Sequence, residues 1–215
     1  MSGDTALAFW SLSIWLALTP GPDNMFVMAQ SVQSGARSGW VVVLGLCTGL
    51  MVHTTAVALG LAAALASMPR ALQAIQLLGA GYLLYLAWGA WHAPAAPLQA
   101  LEPGPSPQRE SARRGSLWPL WRRGLFMNLS NPKVGLFFLA LLPQFVDPTQ
   151  GAAVPQIAML GALFMLATLL VFGSISYFAG KVADVIRGRP GIQRVLARLS
   201  SVVFALLGLR LLATL

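Results

Sequence analysis

Six long apolar segments dominate this chain of 215 residues. An α-helix needs about 20 mainly apolar residues to cross a bilayer, and each segment is close to that length or exceeds it. Charged residues make up only 9% of the chain, too few to cover the surface of a soluble domain. The sequence therefore predicts an all-α, polytopic membrane protein, with one membrane domain over residues 1–215. The predicted spans are Thr5–Val32, Gly39–Met68, Ala71–Trp91, Gly124–Val146, Ala153–Gly180 and Val195–Leu215.

The basic residues predict how these spans are oriented. The loops after spans one, three and five, with their borders, hold one, five and five Lys or Arg, whereas the opposite side holds only Arg70. Because such an excess marks cytoplasmic loops, we expect both termini to lie outside. The same bias explains the net charge of +8 without a nucleic-acid partner. The residues counted are Arg37, Arg109, Arg113, Arg114, Arg122, Arg123, Lys181, Arg187, Arg189, Arg194 and Arg198.

Two of the six spans are interrupted by helix-breaking residues. The first contains LTPGPDN (Leu18–Asn24) and the fourth contains NLSNPK (Asn128–Lys133). Proline lacks a backbone N–H and disfavours helix in the preceding residue, so we expect helices 1 and 4 to be broken. Pro20 and Pro132 stand 112 residues apart, close to half the chain. Since each half has three spans, the pattern predicts a 3+3 inverted repeat, with half-repeats 1–92 and 124–215 and a cytoplasmic loop 93–123.

A broken helix inside a membrane lies against protein or lines a wet cavity. We expect Asp23 and Asn24 to cap the helix that restarts after the first break. At the second break, Ser130 or Asn131 can cap, and Pro132 suits the first helical position. A helix N-terminus offers unpaired N–H groups and a partial positive charge, and both favour a carboxylate. The two breaks are therefore candidates for binding an anionic group.

Two charged residues accompany the breaks. Asp23 is the only acid well inside any predicted span, and Lys133 is the only lysine there. Ionisable residues inside a membrane are costly and indicate function by default. The two residues could form a structural ion pair, or they could bind the α-ammonium and α-carboxylate groups of an amino acid. Either could also exchange a proton, and we assign proton coupling to Asp23.

Other features carry weaker predictions. Gly45 and Gly49 form a GxxxG pattern that indicates close helix packing. His53 could relay protons or could be a hydrogen-bonded structural histidine. Asp147 is expected to cap or to face solvent. Symmetry would extend the fourth span back to Leu117, and because this adds Arg122 and Arg123, we expect Leu117–Arg123 to lie at the interface as an amphipathic stretch.

Three stretches of the sequence resemble the LysE/RhtB family of amino-acid exporters. They are LTPGPDN, GAGYLLYLAWGAW (Gly79–Trp91) and RRGLFMNLSNPKVGLFFLALLPQFVDP (Arg122–Pro148). The resemblance implies a bacterial inner-membrane carrier, driven by the proton gradient, that exports amino acids or their derivatives. The branch that this chain is most similar to handles neutral substrates such as homoserine, threonine or leucine. The residues that carry the resemblance are Thr19, Pro20, Gly21, Pro22, Asn131, Pro132 and Lys133.

Together these observations predict a proton-coupled exporter of amino acids, with its substrate site between spans 1 and 4. Its partners would be the amino acid, protons and the lipid bilayer, with no cofactor and no metal; whether it forms a homodimer is left open. The candidate substrate-binding residues are Thr19, Pro20, Gly21, Pro22, Asp23, Asn24, Asn128, Asn131, Pro132 and Lys133.

Two alternatives belong to other functional classes. An exporter of metal cations would need several carboxylates, thiols or imidazoles. An intramembrane enzyme would need paired acids, a Ser–His pair or a metal cluster. The predicted span interiors offer one acid and one usable histidine, His53. Export of an amino acid or a close derivative is therefore favoured over export of a metal cation or another small solute, and we do not expect an enzyme.

Overall fold

The computed structural model describes residues 1–67, 69–92, 117–179, 181 and 190–213. All regular structure in these ranges is helical, which confirms the predicted all-α class. The described residues form eight α-helices. These are α1 (Gly3–Leu18), α2 (Pro22–Ser34), α3 (Ala36–Ser67), α4 (Pro69–His92), α5 (Trp118–Leu129), α6 (Pro132–Leu136), α7 (Ala153–Tyr177) and α8 (Pro190–Ala213).

Four helical stretches within these ranges are long and apolar enough to cross a membrane. The helix pair around the second break could form a fifth span, and its two parts meet at an angle of 51°. Helix α1 is apolar but has only 16 residues. These features support a polytopic membrane protein, whereas the count of six spans and the 3+3 inverted repeat stay predictions. The four stretches are Ala36–Gly60, Gln73–His92, Ala153–Tyr177 and Arg194–Ala213.

Several sequence predictions fall outside the described residues. They include most of the loop predicted over 93–123, with Arg109, Arg113 and Arg114, and also Arg187 and Arg189. The predicted span ends Met68, Gly180 and Leu215 fall outside as well. The orientation of the spans therefore rests on the sequence alone.

The start of the fourth span differs from the prediction. Helix α5 begins at Trp118 rather than at Gly124, and it runs without interruption to Leu129. The predicted start of the fourth span at Gly124 is therefore wrong, and the stretch Leu117–Arg123 leads directly into the same helix. Its position at the membrane interface stays a prediction. Leu120 is fully buried, and the Arg123 guanidinium lies 4.5 Å from the centre of the Phe26 ring, so this turn is held against the bundle.

Beyond the second break, helix α6 continues as a π-helical turn, Phe137–Leu141, and a 3-10 turn, Leu142–Phe145. Its aromatic side chains pack against α1 and α7. The ring centres of Phe9 and Phe145 are 5.0 Å apart, and those of Phe137 and Phe164 are 5.2 Å apart. This aromatic core fixes the break against its two neighbouring helices.

Asp147 ends this region as a cap, as expected. Its carboxylate accepts hydrogen bonds from the backbone N–H of Thr149 at 2.9 Å and from the Thr149 hydroxyl at 2.6 Å. These bonds hold the pKa of Asp147 below its usual range, and the bond from the Thr149 hydroxyl has the larger effect. Gln156 closes the same turn from α7, because its amide nitrogen donates to the Asp147 carbonyl at 2.9 Å.

Helices α3 and α5 make the most extensive helix contact in the described structure. A Cβ on Gly45 would overlap the backbone carbonyl of Trp121, and a Cβ on Gly124 would overlap the carbonyl of Val42. Gly49, one turn further along, lies directly against the side chain of Asn128. The predicted close packing at the GxxxG pattern is thus confirmed, and we call this contact the glycine seam.

The glycine seam predicts a sharp difference between two glycines of α3. Gly45→Ala should destabilise the protein by about 1–3 kcal/mol, because the added methyl group meets backbone that cannot rotate away. Gly60→Ala is the matched control, since nothing lies within 4 Å of a Cβ at that position. The control should leave stability unchanged or raise it by up to about 1 kcal/mol. Thermal unfolding in detergent measures both, and equal melting temperatures would contradict the predicted seam effect.

Helices α4 and α8 pack in an antiparallel pair. Gly208 lies against Leu84, and the Ser201 hydroxyl donates to the carbonyl of Ala87 at 2.6 Å. The C-terminal end of α4 is therefore level with the first turns of α8.

Candidate functional site

The first break is closed by side chains that reach back to α1. Helix α1 ends at Leu18, and Asn24 donates from its side-chain nitrogen to the carbonyl of Ala17 at 2.7 Å. The Thr19 hydroxyl donates to the Trp15 carbonyl at 2.8 Å. Both contacts satisfy carbonyls near the end of a helix that has no following turn.

The predicted capping by Asp23 and Asn24 is wrong. Gly21 is the N-cap of α2, with extended backbone and no side-chain hydrogen bond, and Pro22 occupies the first helical position. Proline fits that position because its ring fixes φ and it has no N–H to satisfy, so the helix starts earlier than expected. Asp23 and Asn24 consequently lie within the first turn. With no side-chain cap, the N–H groups of that turn are open to a ligand.

The second break follows its prediction more closely. Asn131 is the N-cap of α6, and its side-chain oxygen accepts from the Lys133 N–H at 3.1 Å. Pro132 takes the first helical position. Ser130 is not the cap, because its hydroxyl donates to the carbonyl of Phe126 in the preceding helix at 2.7 Å.

The two breaks meet, and Asn131 connects them. Its side-chain nitrogen donates to Oδ2 of Asp23 at 2.9 Å. The Lys133 ammonium donates to the carbonyls of Leu16 and Thr19 at 3.1 and 3.4 Å. Asp23 and Lys133 both belong to the described part of the chain, and no salt bridge joins them. Instead, the side chain of Asn131 donates to the Asp23 carboxylate and accepts from the backbone N–H of Lys133. Each break therefore satisfies polar groups of the other.

A cavity of about 40 Å³ lies where the breaks meet. It has room for a few water molecules. Its apolar wall includes Leu16, Val134, Phe137, Phe164 and Phe172. Its polar wall contains seven of the ten predicted site residues; Thr19, Pro20 and Pro132 do not line it. The seven are Gly21, Pro22, Asp23, Asn24, Asn128, Asn131 and Lys133.

Two buried side-chain oxygens of residues that line this cavity have no hydrogen-bond partner in the described part of the chain. They are Oδ1 of Asp23 and Oδ1 of Asn128, whose residues are 6% and 2% exposed. A buried acceptor left unpaired costs about 1–3 kcal/mol. Such groups call for an explanation, and a ligand in the cavity would supply the missing donor to Asp23. Oδ1 of Asn128 lies against Gly49 of α3.

His53 lies behind the second break rather than in the cavity. Its Nε2 is 3.4 Å from the carbonyl oxygen of Asn128, and its ring centre is 5.8 Å from that of Phe138. This position fits the structural alternative, because the carbonyl that His53 approaches belongs to the interrupted end of α5.

Helix α7 contributes a wall of the cavity that was not among the predicted site residues. Thr168 lines the cavity and is 3% exposed, and Phe164 and Phe172 stand one turn to either side of it. The signal for Thr168 was a single threonine in the middle of the apolar fifth span. Within the described residues, no group of three His, Cys, Asp or Glu could hold a metal ion.

Long apolar helices and two facing helix breaks define a polytopic membrane protein with discontinuous helices, an arrangement that many secondary transporters share. Similarity to a known family identifies which kind of membrane protein this is. The sequence profile of the LysE type translocator family matches residues 14–214. The chain therefore belongs to the LysE family of translocators.

Relatives cover nearly the whole chain. The homoserine/homoserine lactone efflux proteins of Salmonella typhi and Salmonella typhimurium are each 31% identical over 205 residues, which is 94% of this chain and 92% of theirs. An uncharacterised membrane protein of Pseudomonas aeruginosa is 32% identical over 203 residues, 92% of this chain and 90% of its own. No solved structure shows significant similarity to the chain.

Proposed function

We propose that this protein exports neutral amino acids or close derivatives, such as homoserine, across the bacterial inner membrane in exchange for protons. Membership of the LysE translocator family supports transport, and the two Salmonella relatives are named as homoserine/homoserine lactone efflux proteins.

The observation that carries this proposal is that one buried cavity is lined both by a hydrogen-bond acceptor suited to an ammonium group and by donors suited to a carboxylate. Oδ1 of Asp23 is an unpaired acceptor that can receive the α-ammonium group of a substrate. Lys133 has three N–H donors and uses two on carbonyls, which leaves one for a carboxylate. The uncapped first turn of α2 adds backbone N–H groups on the same cavity.

The other walls favour a substrate with an uncharged side chain. Asp23 and Lys133 are the only charged residues among those that line the cavity in the described structure. Both are committed to the α-groups in this scheme, so a charged side chain would have no partner and would lose its hydration. Thr168 can offer its hydroxyl to a substrate such as homoserine, and Phe164 and Phe172 can pack against its methylene groups.

Asp23 supplies the coupling in this proposal. Its deprotonated form binds the substrate ammonium on the cytoplasmic side, and a proton from the periplasm displaces the substrate on the other side. The protonated protein then returns and releases the proton to the cytoplasm. Because the substrate ammonium group and the proton cannot occupy Asp23 at the same time, export of the substrate and entry of the proton are linked.

The rest of the architecture is proposed to serve alternating access. Residues 1–92 and 124–215 would form two half-repeats of one domain, linked by a cytoplasmic segment over 93–123, with both termini in the periplasm. The cavity holds only a few waters, so substrate entry requires the helices around the breaks to move apart.

Reconstitution tests the proposed function. The purified full-length protein in liposomes should exchange labelled homoserine, threonine or leucine in counterflow, and an inward proton gradient should increase net efflux. Protein-free liposomes and the common amino acids screened in parallel provide the controls. Preference for lysine or arginine, transport of divalent cations, or efflux that does not respond to a pH gradient would contradict the proposal.

A further inference from the structure

A second pocket lies between α4 and α8, and it shares no lining residue with the cavity at the helix breaks. It is an open groove of about 390 Å³ at the C-terminal end of α4. We call it the α4–α8 groove. Its walls are Leu84, Ala87, Trp88, Trp91, His92 and Ser201.

The α4–α8 groove is lined by two tryptophans, and a positive charge lies beside one of them. The Arg198 guanidinium lies 5.6 Å from the centre of the Trp91 ring. No described group accepts a hydrogen bond from it, and the indole N–H groups of Trp88 and Trp91 are likewise free. Neither α4 nor α8 contains an aspartate or a glutamate. A groove with free donors and no carboxylate on its two helices is complementary to an anion.

The groove stands where the apolar spans end. His92 is the last residue of the span Gln73–His92, and Arg198 lies one turn inside the span Arg194–Ala213. Tryptophan favours the headgroup level of a bilayer, and an arginine near a helix end extends its charge towards that level. An anion in this groove would therefore sit at the depth of lipid headgroups.

The surface that continues from the groove towards the membrane centre is apolar. Tyr85 and Leu78 on α4 are 68% and 69% exposed, and Val202 and Leu206 on α8 are 48% and 62% exposed. Side chains of this kind are matched to acyl chains. The groove is thus complementary to the phosphate of a phospholipid, and the apolar surface is complementary to its acyl chains.

We propose that the α4–α8 groove is a binding site for an anionic phospholipid such as phosphatidylglycerol. Its phosphate lies against Arg198 and the indole N–H groups of Trp88 and Trp91, and its acyl chains follow the apolar faces of α4 and α8. Arg194, exposed at the end of the same helix, adds positive charge at this level. The proposal does not depend on which substrate the protein exports.

Native mass spectrometry of the full-length protein in mild detergent tests the site. Phosphatidylglycerol should bind the wild type more tightly than phosphatidylcholine does. Arg198→Gln should weaken the first phosphatidylglycerol binding event about fivefold, and Arg198→Lys should restore most of it. Arg210→Gln is the matched control, because Arg210 lies 5.6 Å from the Phe145 ring at the other end of the same helix.

Three results would overturn the proposal. Equal affinity of wild type and Arg198→Gln for phosphatidylglycerol would show that the groove does not bind this lipid. An equal loss in Arg210→Gln would show a general effect of charge. Competition by glycerol phosphate at the same concentration as the lipid would show a soluble anion site. Near-ultraviolet circular dichroism checks that each variant keeps its tertiary packing.

Discussion

Asp23→Asn is expected to abolish proton-driven efflux while leaving the protein folded. Asparagine is nearly the same size, and its side-chain oxygen can still accept the hydrogen bond that Asn131 donates to Asp23. It carries no charge for the substrate ammonium and cannot hold the exchanged proton. Removing one partner of a buried, hydrogen-bonded charge pair costs about 2–5 kcal/mol, so substrate affinity in counterflow should fall by at least tenfold.

The measurement compares net efflux from proteoliposomes with and without an inward proton gradient. Asp4→Asn is the matched control, because Asp4 is exposed in the first turn of α1 and does not line the cavity. Thermal unfolding of Asp23→Asn should stay close to that of the wild type, because the hydrogen bond from Asn131 is kept and an unpaired carboxylate oxygen is replaced by an amide nitrogen of similar size that is also unpaired. Proton-stimulated efflux at the wild-type rate in Asp23→Asn would end the coupling hypothesis.

Lys133→Met is expected to lose both transport and stability. The ammonium of Lys133 is the donor to the carbonyls of Leu16 and Thr19 at the end of α1. Methionine fills much of the same volume but donates nothing, so two carbonyls lose their partner at about 1–3 kcal/mol each. The substrate carboxylate also loses its counter-charge, and we expect transport to fall to background.

Lys181→Met is the control for this variant, since Lys181 is exposed and is the only other lysine in the chain. Melting temperature in detergent and counterflow in liposomes should both be unchanged in the control. The contrast with Asp23→Asn is informative, because that variant should lose transport alone. A Lys133→Met protein with wild-type melting temperature would show that the two carbonyls find other partners.

The sequence predicted the positions of both breaks because proline acts locally. Pro22 and Pro132 restrict their own backbone and that of the residue before them, and the helices restart at those residues. The partners of Lys133 could not be predicted in the same way. They are backbone carbonyls of Leu16 and Thr19, which any residue type would provide, and only the approach of the two breaks brings them within reach.

The face of α7 that lines the cavity could not be predicted from the sequence either. Phe164, Thr168 and Phe172 share one face of α7 by their spacing of four residues, but an apolar span gives no sign of which face meets the breaks. That choice depends on how α7 packs against α1 and α3. Likewise, Arg122 and Arg123 gave no indication that Leu120 and Gly124 on the same turns hold α5 against α3.

The glycine seam restricts how the protein can move. At Gly45 and Gly124 the backbones of α3 and α5 touch, with no intervening side chain that could change rotamer to let one helix slide along the other. We therefore expect helices α3 and α5 to move as one rigid unit and to carry Asn128 with them. Opening of the cavity would then come from displacement of α1, α2, α6 or α7 relative to that unit. Asn128 would thus serve as the fixed reference point of the site, and Asp23 and Lys133 as its moving parts.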